Sequence, residues 1–160
     1  TVSLTSMVDA YCEKYGIPLH ETPVGFKHVA KLMTEEKIII GQDNQLLQGV
    51  SVVAGEPRAR HIYLDSDSPA ARVETASLWQ EYLQDKALVL TREQAISSNL
   101  FGTEVSADAY DRMGEVIAIA RGGLVLLDAD RADKEGAMVG HHGADSDIES
   151  QVGLLTTTLS

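Results

Sequence analysis

This 160-residue sequence is short of several residue types, and each shortage excludes a class of protein. A single cysteine, Cys12, excludes an internal disulfide and a thiolate metal cluster. No run of 18 apolar residues exists, which excludes a membrane-spanning helix and predicts no contact with a membrane. The first residues also lack a basic region followed by an apolar one, so we expect no signal peptide and a cytoplasmic protein.

Positive charge is also scarce. Thirteen Lys and Arg stand against 24 Asp and Glu, which gives a net charge of −11, and no basic cluster is denser than Arg58-Ala59-Arg60. Such a chain repels phosphate backbones, so we expect no nucleic-acid partner. The 44% hydrophobic content is ample for a core. We expect one compact α/β domain, with Cys12 as a small buried side chain on a helix.

The first 41 residues predict an α-β-α-β unit. Ser6 caps a helix that Gly16 ends, and apolar residues recur between them at three- and four-residue spacing. A strand over residues 17–21 precedes a second helix, which buries Phe26 and continues to residue 33. Residues 37–41 are typical of a strand buried on both faces. We expect 17–21 and 37–41 to be parallel neighbours, joined by a right-handed crossover.

The later residues predict a partly antiparallel α/β module, so the whole fold is a mixed sheet flanked by helices. Residues 50–54 and 61–64 favour a hairpin, and a helix from Pro69 should bury Val73, Ala76, Trp79 and Leu83. A strand over 87–90 leads into a capping box, Thr91 to Gln94, which opens a helix to about residue 100. Residues 115–120 and 124–128 predict a second hairpin around Arg121-Gly122-Gly123, and 137–140 a last strand.

Residues 15–27 end in Thr-Pro-Val-Gly-Phe-Lys, and together with the helix and the Ile-Ile-Ile-Gly strand that follow they resemble the third domain of the α-D-phosphohexomutases. The resemblance covers about 40 residues. It implies that Lys27 faces a sugar phosphate, as an ammonium beside a helix N-terminus is suited to do. After Gly41 the chain reads Gln-Asp-Asn-Gln, where that family has a glycine- and glutamate-rich sugar-binding loop. The family's phosphoserine loop is absent as well.

Residues from about 49 to 155 resemble the C-terminal part of a bacterial type I phosphodiesterase/nucleotide pyrophosphatase of the alkaline phosphatase superfamily. The resemblance rests on the order and spacing of several segments, among them residues 53–63, 90–95 and Val-Gly-His-His-Gly at 139–143. It implies that His142 is a zinc ligand, as a neutral imidazole after a strand can be. The nucleophile and the other ligands of that family are missing.

Three hypotheses follow. The first is a recombined or engineered chimera, with a hexomutase-like segment at 1–41, a hydrolase-like segment at 42–160, no catalytic residue and no complete active site. The second is a fragment of a metal-dependent phosphodiesterase or phosphatase, and the third is a sugar-phosphate-binding domain related to the phosphohexomutases. Zinc or magnesium is expected only under the second or third.

Remaining features predict no site. Asp145, Asp147 and Glu149 follow His142 closely, but such a group is typical of a solvated acidic loop. His20, His28 and His61 are expected to be structural or surface residues. Sheet edges left uncovered by a fusion favour a homodimer, for which segment swapping is one route.

Overall fold

The computed structural model of the protein describes residues 6–16, 36–41, 45–138 and 140–150. The helices are α1 (Ser6–Tyr15), α2 (Pro69–Leu83), α3 (Arg92–Ser97), α4 (Ala107–Arg112), α5 (Ala132–Gly136) and α6 (Asp147–Ser150), and the strands are β1 (Glu36–Ile40), β2 (Val50–Glu56), β3 (Ala59–Leu64), β4 (Ala87–Thr91), β5 (Val116–Ala120) and β6 (Leu124–Asp128). The predicted α/β class with parallel and antiparallel strands flanked by helices is confirmed. The predicted strand at 17–21 and the helix with Phe26 lie outside the described residues.

Four strands form an antiparallel sheet in the order β2-β3-β5-β4. Side chains alternate between its faces, so Ile62 on β3 and Val116 and Ala118 on β5 point towards α2 and pack with Trp79. The indole Nε1 of Trp79 donates to the Leu46 carbonyl at 3.0 Å and ties the turn before β2 to the helix. On the other face Ile117 and Ile119 form a second apolar cluster with Ala95, Met113 and Ala144.

The two remaining strands, β1 and β6, form a parallel pair, with Ile38 opposite Leu126 and Ile40 opposite Asp128. The predicted hairpin between residues 115–120 and 124–128 is therefore wrong. Gly122 has φ of +52° and the Leu124 amide donates to the Arg121 carbonyl, so a tight turn forms there. That turn redirects the chain from one sheet to the other, and β5 pairs instead with β3 and β4.

Two arginine side chains complete the second edge of β6. Arg58 Nη1 donates to the Leu124 carbonyl at 2.7 Å, and Arg60 Nε donates to the Leu126 carbonyl at 2.9 Å. Between them, the Leu126 amide donates to the Pro57 carbonyl at 2.8 Å. Backbone groups of residues 124 and 126 point to one side of a strand, so these donors and this acceptor occupy the positions that a neighbouring strand would supply.

A glutamine side chain performs the same role at β4, the end strand of the antiparallel sheet. Gln80 Nε2 donates to the Ala87 carbonyl at 3.1 Å, and its Oε1 accepts from the Val89 amide at 3.0 Å. A carboxamide offers one donor and one acceptor in the arrangement of a peptide group. The outward-facing backbone of β4 is thus partly satisfied within the chain, as edge strands need to be.

Several local expectations are confirmed. The structure has the Ser68 cap before Pro69, the capping box at Thr91, and a hairpin of β2 and β3. Its turn lies at Pro57 and Arg58, two residues later than the sequence suggests. Strand β1 is confirmed and parallel, yet only Ile40 is fully buried, because Glu36 and Lys37 point outwards to Lys86 and the Gly136 carbonyl.

Other expectations are wrong. Val73 is 59% exposed, because the buried stripe of α2 passes through Thr75 in its place. Residues 137 and 138 form no strand, since their amides donate back to α5 and extend its last turn. Cys12 is only half-buried, and the exposed rings of Tyr11 and Tyr15 contact each other at a tilt of 43°. No helix among the described residues is long and apolar enough to cross a membrane.

Candidate functional site

A cleft of about 390 Å³ opens where the carboxyl ends of β1 and β6 meet the outer side of β2. In open parallel sheets this end of the strands is the usual place for a ligand. The lining residues come from the end of β1, from β2 and the turn before it, and from the segment after β6: Ile40, Gly41, Leu47, Val50, Ser51, Val52, Val53, Asp128, Ala129 and Asp130.

Gly41 shapes the cleft floor. Its φ is +108°, and a Cβ placed on it would lie 2.9 Å from the Ala129 Cβ. Only glycine combines this backbone conformation with so close an approach. The glycine that ends the Ile-Ile-Ile run therefore lets the chain leave β1 against the segment that follows β6.

The polar wall of the cleft is acidic and held by hydrogen bonds. One oxygen of Asp128 accepts from the Asp130 amide at 3.1 Å, and the other accepts from Arg131 at 2.9 Å and 3.1 Å. Its hydrogen bond to Asp128 raises the pKa of Arg131, which also donates to the Val53 carbonyl at 3.4 Å. Asp128 is thereby fixed in orientation, while Asp130 stays exposed.

This wall presents acceptor oxygens to any molecule in the cleft. The Ser51 hydroxyl donates to the Tyr63 carbonyl at 3.0 Å, so its oxygen can accept a hydrogen bond. Carboxylates and a hydroxyl that line the same cleft suit a ligand with several hydroxyl groups. The Ser51 hydroxyl donates to a backbone carbonyl, so its proton is directed away from the carboxylates that line the same cleft.

His142, the predicted zinc ligand, is exposed. The part of the chain that is described contains no group of three His, Cys, Asp or Glu side chains able to hold a metal ion. Zinc at His142 stays a prediction. Lys27, the predicted sugar-phosphate residue, lies outside the described residues, as do His20 and His28.

Glu149 is not part of a solvated acidic loop, and that expectation is wrong. Its carboxylate forms a two-bond pair with Arg58, with Nε to Oε1 at 2.8 Å and Nη2 to Oε2 at 2.9 Å. The Glu149 side chain is 8% exposed and that of Arg58 is 2% exposed. Both carboxylate oxygens are therefore committed to a buried ion pair, whereas Asp145 and Asp147 are exposed.

The pKa of Glu149 reflects this environment. Burial on its own would raise it, but hydrogen bonds from Arg58 and Ser146, the charge of Arg58 and the Ala144 amide outweigh burial and hold the pKa below its ordinary value of 4.5. The carboxylate consequently stays ionised at neutral pH and keeps residues 144–149 attached to the turn between β2 and β3.

His61 lies half-buried on β3. Its Nδ1 accepts from the Gly114 amide at 3.1 Å, and its ring lies 6.2 Å from the Phe101 ring between centroids. Burial lowers the pKa of His61, so the ring is neutral at pH 7. It lines a second, smaller cavity, separate from the cleft.

Sequence reasoning missed the polar residues of the cleft. Asp128 ends, and Asp130 follows, a strand that was assigned to a hairpin, so the carboxyl end of a parallel pair was not recognised there. The usable signal was the run of residues 124–127, Leu-Val-Leu-Leu, whose lack of alternation is typical of parallel strands. Arg58 and Arg60 were considered only as the densest basic cluster of the sequence, and their burial, at 1% and 0% exposed, was not predicted.

Residues 1–66 match the family model described as phosphoglucomutase/phosphomannomutase, alpha/beta/alpha domain III. The hexomutase-like resemblance of the first segment is thus supported. The match covers less than half of the chain, and it continues past Gly41 through β2 and β3. No curated protein and no solved structure matches the chain. The resemblance of residues 49–155 to the phosphodiesterases, and the chimera that it implied, have no support among these comparisons.

Proposed function

We propose that this protein binds a phosphorylated sugar in the cleft at the carboxyl ends of β1 and β6, as a domain related to phosphohexomutase domain III. The observation that carries the proposal is the coincidence of the family match with the cleft. Most of the lining, from Ile40 to Val53, belongs to the matched residues 1–66. The acidic wall is contributed by residues beyond the match.

The chemistry of the cleft supports the sugar part of such a ligand. Asp128 and Ser51 are oriented by their own hydrogen bonds, so they would accept hydrogen bonds from hydroxyl groups at little entropic cost. The cleft is also large enough for a single hexose ring, since ligand sites begin at roughly 300 Å³.

The phosphate requires positive charge, because the Asp128 and Asp130 carboxylates would repel it. Arg131 is half-exposed beside the cleft and already pairs with Asp128. A phosphate held by Arg131, with the sugar ring along the acidic wall, is the arrangement that we propose. By the resemblance, Lys27 is a second phosphate-binding residue. Magnesium, where the phosphate requires it, would bind to the phosphate oxygens.

We propose binding without turnover. Phosphoryl transfer requires a nucleophile, charge neutralisation and in-line geometry together. Lys27 and the cleft residues would supply charge and positioning only, so glucose 1-phosphate should remain unchanged in the presence of the purified protein, with or without magnesium or zinc.

The test is a titration of the ¹⁵N-labelled protein with glucose 1-phosphate, followed by NMR. We expect the largest shifts at Gly41, Ser51 and Asp128 and a millimolar or tighter dissociation constant. Asp128→Asn and Lys27→Ala should each weaken binding about tenfold, as expected for one lost charged hydrogen bond. Lys134→Ala, an exposed charge outside the cleft, is the matched control and should bind normally.

Glucose and inorganic phosphate, titrated separately, divide the ligand into its parts. Each should shift a subset of the same amides more weakly than glucose 1-phosphate does. Saturation with glucose 1-phosphate that leaves Gly41 and Asp128 unshifted would contradict the proposed site, and absence of any shift up to about 50 mM would contradict the proposed function.

A further inference from the structure

The face of the antiparallel sheet turned away from α2 is incompletely covered. Ala59 and His61 on β3 lie opposite Ile119 and Ile117 on β5. The four side chains therefore share this face. Residues 100–101 cover one side of it and residues 143–145 the other. Between these two segments lies a cavity of about 190 Å³.

The cavity walls are mainly apolar. Four of the lining side chains are the aliphatic or aromatic residues Leu100, Phe101, Ile117 and Ile119, and small alanines complete the wall. An apolar cavity of about 150 Å³ is enough to bind benzene. The volume here therefore accommodates one six-membered ring with a short substituent.

His61 is the polar group of this cavity, and its hydrogen-bonding state is fixed. Because Nδ1 accepts from the Gly114 amide, the neutral ring carries its proton on Nε2. No described residue accepts a hydrogen bond from that Nε2. The imidazole thus offers the cavity one neutral N–H donor, on the ring edge away from the backbone.

Asp145 limits what else can enter. It is exposed and lines the same cavity, so its carboxylate would repel anions at the opening. Phosphate esters and carboxylates are therefore poor ligands here, unlike in the cleft of the proposed function. An uncharged ring gains from the apolar wall without this repulsion.

We propose that this cavity is a second binding site, which takes a small uncharged aromatic molecule bearing one hydrogen-bond acceptor. The ring packs among Phe101, Ile117 and Ile119, and the acceptor atom receives the N–H of His61. The site shares no lining residue with the cleft beside β1 and β6. The proposal is therefore independent of sugar-phosphate binding.

Three probes of similar size test the proposal on the intact protein by NMR. Acetophenone has a ring and a carbonyl acceptor, ethylbenzene has the ring alone, and benzoate has a ring with a negative charge. We expect acetophenone to bind with a millimolar dissociation constant and to shift the amides of Ile117 and Ile119 and the His61 ring resonances. Ethylbenzene should bind about fivefold to tenfold more weakly, the loss expected for one neutral hydrogen bond. Benzoate should not bind measurably.

A cavity-filling variant provides the second arm. Ala59→Val adds two methyl groups to a strand residue that lines the cavity, and it should weaken acetophenone binding at least fivefold. Ala137→Val makes the same change at an exposed residue outside the cavity and should bind as the unmodified protein does. If Ala59→Val fails to fold, the probe series on the unmodified protein still decides the question.

Equal affinity for acetophenone and ethylbenzene would show that His61 contributes no hydrogen bond and would overturn the assigned ligand class. Shifts that leave Ile117, Ile119 and His61 unchanged would overturn the assigned site. Loss of glucose 1-phosphate binding alone would contradict the proposed function and leave this site intact.

Discussion

The two sheets both complete a strand edge with side chains, but they do so with different chemistry. At β6 the groups are the buried guanidiniums of Arg58 and Arg60, each paired with a carboxylate. At β4 the group is the neutral carboxamide of Gln80. A charge committed inside the protein is costly to leave without its partner, whereas an amide at a surface edge is readily replaced by water. The parallel pair should therefore depend on single residues much more than the antiparallel sheet does.

The Arg60 substitution sharpens this comparison most. Arg60 is 0% exposed and donates to Gly55, Leu126 and Glu135, and the Glu135 side chain is only 11% exposed. Arg60→Met removes the closer cation of the buried Glu135 carboxylate and leaves only the half-exposed Arg131, 3.7 Å away. The variant should cost about 3–5 kcal/mol of unfolding free energy. Urea denaturation measures the loss.

Two controls accompany the Arg60 variant. Arg131→Met removes an arginine that is 49% exposed, and its pairs with Asp128 and, at 3.7 Å, with Glu135 should together contribute less than about 1 kcal/mol. The double variant Arg60→Met/Glu135→Leu removes both charges and should regain part of the stability. An Arg60→Met protein as stable as Arg131→Met would contradict the importance given to the buried pair.

Arg58 is expected to have the next largest effect. Arg58→Met removes the partner of Glu149 and the donor to the Leu124 carbonyl, and should cost about 3 kcal/mol. The variant should lose stability overall and also in residues 144–149. The Ala144 amide donates to Glu149, so its hydrogen exchange should be faster in Arg58→Met than in the unmodified protein. An Ala144 amide that is equally protected in both proteins would argue against this attachment.

The sequence predicted local features of the fold but not the pairing of distant strands. The hairpin of β2 and β3, the Ser68 cap and the Thr91 capping box were predictable, because neighbouring residues determine them. The pairing of β1 with β6 joins residues almost 90 positions apart, and periodicity contains no information about such partners. For the same reason the cleft was missed, although Gly41 was recognised as the end of its strand.

The sequence also did not predict which acidic residue near the end of the chain is buried. Glu149 was grouped with Asp145 and Asp147 by proximity in sequence, yet only Glu149 meets a buried arginine. A charge pattern predicts solvent exposure on average. It does not identify the one carboxylate whose partner lies 91 residues earlier.

Acid titration tests the Glu149 pair through its smaller, pH-dependent effect. The pKa of Glu149 is lower in the folded protein, so its contribution is complete above the ordinary value of 4.5 and disappears as the pH falls through the folded pKa. Glu149→Gln should lose about 1–3 kcal/mol at pH 7, and the difference from the unmodified protein should shrink on acidification. A difference that stays constant down to pH 2 would exclude this linkage.

Gln80 should give the smallest effect on stability. Gln80→Ala removes the donor to Ala87 and the acceptor from Val89 at an edge that water can reach, so about 1 kcal/mol is expected. Without Gln80, the backbone of β4 at residues 87 and 89 is available to a second chain, so self-association should increase. Sedimentation velocity of both proteins measures this, with Gln84→Ala as a matched control. The same measurement reports whether the unmodified protein forms the predicted homodimer. A Gln80→Ala protein that loses more stability than Arg60→Met would reverse the comparison.

The central structural claim is that β1 and β6 are parallel neighbours, because the cleft exists only where their carboxyl ends meet. The most direct measurement is a nuclear Overhauser experiment on the labelled protein. The account predicts cross-peaks between Ile38 and Leu126 and between Lys37 and Val125, following the parallel register. Cross-peaks between Ala120 and Leu124 that continue along an antiparallel ladder of residues 116–120 with 124–128 would contradict it, and would remove the cleft.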